Sequence, residues 1–157
     1  MMPDRKETMT PRERLLKALN HVLLVRVPIV LGGNQTGIHR VAYQALIEHL
    51  GIQDEVTIMD AVQQLARPCE AVLQRLRVDT RYIHAGAAAD FRGEIVTRQR
   101  DGRTWHDLTD EFGVTWSMPD DAPLYMDITH HPLAEAKIED IRDYPFPPGN
   151  DPGRFAG

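Results

Sequence analysis

Four residues lie where an α/β chain usually places its chemistry, just at or beyond the ends of strand-like runs: Asn34, His39, Arg81 and His84. His84 is the best catalytic candidate. It follows the run Val78–Ile83 directly, and an imidazole there could serve as acid, base or ligand near neutral pH. Arg81 could hold an anionic substrate group, while Asn34 and His39 follow the run Val27–Leu31 and could line the same rim. Each has a plainer role beside it. His84 could be satisfied by backbone, Arg81 could pair with Asp79 or a helix carboxylate, and His39 could simply open a helix. The Gly32-Gly33 pair is a turn first, since two glycines alone do not make a phosphate loop.

Metal chemistry is poorly provided for, and the expectation is that the chain holds no metal and no cofactor of its own. Zinc sites draw on several Cys and His at set spacings. Here the single Cys69 falls on an apolar helical spacing, which suits a small core residue better than a ligand or nucleophile. His130 and His131 are adjacent, so in extended chain their side chains point to opposite faces. One cysteine also makes no internal disulfide, which fits a reducing, cytoplasmic setting.

The elements that must position these residues are legible in part. Thr10-Pro11-Arg12-Glu13 combines a cap, a proline at the first helical position and a glutamate that can reach back, so a helix starts there with Leu15, Leu16 and Leu19 as its apolar stripe. Val27–Leu31 is short, apolar and β-branched, and reads as a strand. Ile38, Val41, Ala42, Ala45, Leu46 and Leu50 then recur at helical intervals up to Gly51, a natural cap. A second helical spacing runs from Asp60 to Leu76, kinked or divided at Pro68, and Val78–Ile83 reads as a second strand. Strand, helical crossover and strand make a parallel, right-handed βαβ unit. After it the pattern turns antiparallel. Asp101-Gly102 predicts a tight hairpin with Arg98 opposite Trp105 and Ile95 opposite Leu108, and with Arg98 stacked on the indole. Phe112 to Ile128 reads as a second hairpin, Ile138–Asp143 as a short helix, and residues 145–157 as a Pro/Gly-rich tail; residues 1–9 read as disordered.

Taken in order, these pieces resemble the start of the uroporphyrinogen decarboxylase superfamily, especially its divergent branch near corrinoid-dependent methyltransferases. The resemblance is carried by Thr10–Leu16, Arg26-Val27-Pro28-Ile29, Gly32-Gly33 leading to Thr36-Gly37-Ile38-His39, and Leu76–Arg81. It continues through Asp110-Glu111-Phe112-Gly113-Val114, His131-Pro132-Leu133-Ala134, and Ile141 to Pro147. It implies a (β/α)8 barrel of which Val27–Leu31 and Val78–Ile83 are the first two strands, with the hairpins an excursion before the third. Such a barrel needs about 250 residues, so the 157 residues here imply an incomplete barrel, an amino-terminal fragment.

The resemblance also implies activities: decarboxylation in porphyrin biosynthesis, or corrinoid-linked methyl transfer. A full-length relative of the second kind would carry zinc and work with a corrinoid partner. The departures matter. The arginines that hold substrate carboxylates after the first strand are replaced by Gly32-Gly33-Asn34-Gln35-Thr36-Gly37, and after the second strand the nearest aspartate is Asp90. The His-x-Cys zinc motif is absent from the sequence. The leading expectation is therefore a fragment that is not catalytic alone. Its partner would be the missing barrel half as a separate chain, or other copies recruited through open sheet edges. The alternative is a small stand-alone binding or subunit module that assembles with a partner chain. A weaker third reading is an independent enzyme using His84 and Asp90.

Charge narrows the partners. The net charge is −5, and only Lys137, Arg142 and Arg154 of the 18 basic residues lie from His106 onward. Nucleic-acid binding needs clustered Lys and Arg and is not expected. No apolar stretch of about 18 residues suggests a membrane span.

Overall fold

The computed structural model describes residues 8–156. Most of the expected amino-terminal disorder, residues 1–7, lies outside the described residues. Among the described residues the chain is mixed α/β with two antiparallel sheets and no closed barrel. It divides into two compact units, one from residues up to Asp60 together with Leu65–Tyr82, the other from Ala61–Gln64 and the residues from Ile83 onward.

The first unit opens with α1 (Pro11–Leu19), and its start follows the expected chemistry: the Thr10 hydroxyl accepts from the Glu13 N–H while Glu13 accepts from the Thr10 N–H at 2.8 Å. Its buried side differs from expectation. Arg14 is buried, whereas Leu16 and Leu19 are exposed. Asp79 is the cause. Its side chain, 1% exposed, pairs with the Arg14 guanidinium and lies 2.6 Å from Nη1 of Arg26. It also accepts from the Ile29 N–H at 2.9 Å. Burial alone would raise this carboxyl's pKa; the bonds from Arg26 and Ile29 and the charges of both arginines hold it below the ordinary value instead.

The two expected barrel strands are corrected here. Val27–Leu31 and Val78–Ile83 have no strand assignment and form no ladder. They are linked by one main-chain bond, from the Asp79 N–H to the Ile29 carbonyl at 2.8 Å, and the place of the next rung is taken by the Asp79 carboxylate. No parallel βαβ sheet results.

The connecting stretch holds α2 (Arg40–Leu50), closed by Gly51 in the left-handed region at φ 65°, as its sequence predicts. The helix buries Tyr43 and Ile47 against Ala66 and Val72, with Leu46 partly buried beside them; Val41, Ala42 and Ala45 face outward. Of the helical spacing expected over Asp60–Leu76, kinked or divided at Pro68, the part after the proline is helical, and the part before it is replaced by a small antiparallel sheet: order β1 (Ile38–His39), β3 (Leu65–Ala66), β2 (Ile58–Asp60), then the short α3 (Glu70–Arg75). Gln64, at φ 54°, breaks any continuous helix, and Pro68 would deny it a backbone donor. Tyr43 ties the pieces together: its hydroxyl donates to Asp54 and accepts from the Cys69 N–H at 2.9 Å. Burial, then the bond to Asp54, push this phenol's pKa up.

The second unit is built on a four-stranded meander, β4 (Ile95–Arg100), β5 (Arg103–Thr109), β6 (Thr115–Pro119) and β7 (Asp127–His130). The first hairpin has the expected register, Arg98 opposite Trp105 and Ile95 opposite Leu108. Asp101 and Gly102, at φ 50° and 74°, make its tight turn. The two expected hairpins are thus one continuous sheet. Leu108, Met118 and Met126 form its core with Val62 and Trp116. The β5–β6 turn is organised by Asp110, which accepts from the N–H groups of Phe112 and Val114 and from the indole of Trp116.

Within the Pro/Gly-rich segment, residues 151–154 are hydrogen-bonded to a loop of the same unit. After α4 (Ile138–Asp143), residues 152–155 form a 3-10 turn, in which the Asp151 carboxylate accepts from Ala89 and Gly153 at 2.8 Å each. Arg154 pairs with Glu111, and its carbonyl accepts from the Gly86 N–H at 3.1 Å. Gly153 lies so close to this loop that a Cβ would come within 2.6 Å of the Ala87 carbonyl oxygen.

Two tests follow. Asp79→Ala removes the buried carboxylate that pairs with Arg14 and Arg26 and accepts from the Ile29 N–H, and is expected to cost about 3–5 kcal/mol, read by urea denaturation. Because the folded Asp79 pKa is depressed, its contribution is complete above the unfolded value of about 4 and is lost as pH falls through the lower folded value. Asp79→Asn should therefore flatten the acid limb of the stability curve; an unchanged limb would contradict the assignment.

Candidate functional site

The rim expected after the first apolar run is a tight loop. The Gly32 N–H donates to the Thr36 carbonyl and the Thr36 N–H to the Gly33 carbonyl, both at 3.1 Å. Gly32 sits at φ 105°, a conformation that excludes most side chains. The Tyr82 ring lies directly on Gly33, where a Cβ would be 2.2 Å from Cε1. The Tyr82 hydroxyl is 2.9 Å from Thr36 Oγ1, and the Asn34 amide donates to Asp60 Oδ2 at 2.8 Å. Asn34 with Asp60 and Thr36 with Tyr82 are therefore two hydrogen-bonded pairs at this loop.

Of the four expected residues, only Asn34 is part of this rim. His39 caps α2, its Nδ1 accepting from the Val41 N–H at 3.3 Å. Arg81 is bound to Glu70 of α3 through two bonds of 2.7 Å and donates to the carbonyls of Val78 and Thr80. This is its plainer role, a pair with a helix carboxylate, and it leaves the guanidinium's charge matched. The bonds from Arg81, then from Gln74, pull the Glu70 pKa down to about 2. His84, half-buried, belongs to the second unit.

Sequence reasoning missed Thr36, Asp60 and Tyr82. The signal available was the second glycine of the pair, which admits an aromatic ring against the backbone. Asp60 was masked by its position in what looked like a helix start.

Cys69 sits at the start of α3, half-buried against the Tyr43 core, in keeping with a packing role. His131 is used locally, its Nδ1 accepting from the Leu133 N–H at 3.1 Å. Among the described residues no group of three His, Cys, Asp or Glu comes together to hold a metal ion. Nor is any described helix long and apolar enough to cross a membrane.

No protein-family model, curated protein or solved structure matches the chain.

The Arg81–Glu70 pair gives a local test. Arg81→Gln should let the Glu70 carboxyl titrate closer to its ordinary value of 4.5, which side-chain 13C NMR can follow. A titration that stays near 2 would show that Arg81 does not hold it.

Proposed function

We propose that the chain is the amino-terminal part of a uroporphyrinogen decarboxylase-like barrel enzyme, acting in decarboxylation or corrinoid-linked methyl transfer, and that it does not turn over alone. In this reading it works in the cytoplasm. Asn34, His39, Arg81 and His84 are rim positions whose site is completed by other strands. The other strands come from a separate chain, and zinc and the corrinoid partner belong to that complete assembly.

The observation that carries this reading is the pattern of exposure along Leu23–Val30. It alternates without a break. Leu24, Arg26, Pro28 and Val30 are half-buried, while Leu23, Val25, Val27 and Ile29 are exposed, the first three at 95%, 77% and 75%. The exposed row is entirely apolar. Residues 23–30 bend at Val25–Arg26 and pair in no ladder, yet a segment apolar on its open side supports a layer that would cover it. The helices agree. α1 exposes Leu16 and Leu19, and α2 exposes Val41, Ala42 and Ala45 opposite its buried face. Surface of this kind supports a covering partner more readily than an isolated domain.

The expected outcome for the purified 157-residue chain is no decarboxylation of uroporphyrinogen, no methyl transfer from a methylated corrinoid, and concentration-dependent self-association. The double variant Val25→Lys, Val27→Lys should suppress that association while leaving the far-ultraviolet circular dichroism unchanged. Robust turnover by a homogeneous sample would overturn the proposal, as would a monodisperse monomer that binds no apolar dye.

A further inference from the structure

The β4–β5 hairpin gathers three arginines around one indole. Arg100 and Arg103 are cross-strand partners, and their guanidinium carbons lie 4.8 and 5.5 Å from the centre of the Trp105 ring. Trp105 itself lies opposite Arg98, so all four share one face of the sheet, since side chains two apart on a strand and directly paired across strands point the same way. The stacking expected of Arg98 is thus made by its neighbours. Arg98 instead places Nε 3.2 Å from Asp107, which Arg100 also engages, and Arg103 reaches Asp121 at 2.5 Å. Three guanidiniums meet two carboxylates. Asp107 has little acceptor capacity to spare, because the same oxygen that takes Arg100 also takes the Ser117 hydroxyl at 2.7 Å.

Two donors in this cluster are left over. The Nε–H of Arg100 and the Nε1–H of Trp105 are both buried, and neither has a hydrogen-bond acceptor among the described residues. Buried N–H groups are nearly always paired, and an unpaired one calls for an explanation. Here two occur side by side, in a patch with one more cation than anion paired into it. Such a patch is short of the same thing twice: acceptor oxygens and negative charge. A neutral ligand would supply the first and not the second, and a cation would supply neither. The ring face is already taken by guanidinium groups, so recognition runs through N–H groups and charge rather than through stacking on the indole.

We infer that this face of the hairpin binds an oxyanion group, a carboxylate or a phosphate. The fork of donors on arginine matches both. Arg98 and Arg103, with side chains 61% and 47% exposed, are the arms that close on it, and Arg100 moves with the ligand to present its inner N–H. Asp101, exposed in the turn, opposes binding; Asp120 is engaged by His106, whose position on β5 places it on the other face. The site is independent of the barrel reading, since it uses none of the rim residues.

The test is an NMR titration of the full chain labelled with 15N, following the arginine Nε–H and tryptophan Nε1–H signals. Inorganic phosphate and succinate are added separately at constant ionic strength, with sodium chloride as the control. Saturable shifts of the Arg100 and Trp105 signals, with Trp116 unmoved, are expected for at least one of the two. Phosphate alone saturating assigns a phosphate group, succinate alone a carboxylate, and both a site that reads charge and acceptor geometry only. Arg98→Gln should weaken binding about tenfold, the loss of one charge-assisted contact, and Asp101→Asn should tighten it. Because Arg98 is exposed, its variant keeps the hairpin register, which the cross-strand signals verify. Shifts that chloride reproduces, no saturation with either anion, or unchanged binding in Arg98→Gln would each overturn the inference.

Discussion

A single buried carboxylate organises the first unit. Asp79 collects Arg14 from α1, Arg26 from the segment after it, and the Ile29 N–H from the apolar run. Each of them lies 50 residues or more from Asp79 in the chain. Their meeting decides which face of α1 turns inward. A helix with leucines at positions 15, 16 and 19 would ordinarily bury that stripe, yet Arg14 is buried and Leu16 and Leu19 are not. The electrostatic demand of a carboxylate out of water outweighs the burial of two leucines. An ion pair of this kind is weak as a net source of stability, because desolvation offsets most of the attraction. Its strength lies in what it forbids: any arrangement that separates the partners strands a charge in the interior.

The same constraint explains the missing ladder. Two runs side by side can exchange main-chain bonds, but Asp79 uses its side chain to take the Ile29 N–H and its own N–H to reach the Ile29 carbonyl. A closed pair of bonds forms at one residue, and neither run continues it as a ladder. Aspartate hubs recur in the second unit, where the chain does form strands. Asp110 folds the β5–β6 turn by accepting three donors, and Asp107 gathers Arg98, Arg100 and Ser117 from both neighbouring strands. There the hubs act at turns and across pairs already set by main-chain bonding, so they reinforce the sheet.

How much of this was legible depended on distance along the chain. The Thr10 capping box, the Gly51 cap and the Asp101-Gly102 turn involve residues within four of each other, and the chemistry that specifies them is complete in those residues. Even the register of the first hairpin follows from its turn, because two residues with positive φ admit one pairing of the flanking strands. The Val62, Leu65, Ala66, Cys69 spacing failed for the opposite reason. It fits a helix, but Gln64 adopts positive φ and Leu65–Ala66 is claimed by strands on either side. Strands of two or three residues have no periodicity to detect. The candidate site was legible to the same limited degree: Asn34 could be placed beyond a strand-like run, but its partner Asp60 is 26 residues away and entered through a strand the periodicity concealed. The docking of residues 151–154 on the Gly86–Ala89 loop was equally hidden, since it depends on Gly153 having no side chain where two backbones touch.

One property links the failed strands to the exposed surface. Val27–Leu31 reads as a buried strand because its apolar residues are continuous rather than alternating, which is the pattern of a segment covered on both faces. In the structure only one side is covered, by Asp79 and its surroundings, and the alternation appears in exposure instead of in residue type. The composition of this stretch is thus matched to an environment that these residues do not themselves supply. A polar outer row would have ended the matter with an ordinary surface segment. Leu23, Val25, Val27 and Ile29 do not, and α1 and α2 repeat the mismatch with leucine, valine and alanine facing water. Three elements of different kinds thus share one asymmetry, an apolar side left exposed among the described residues.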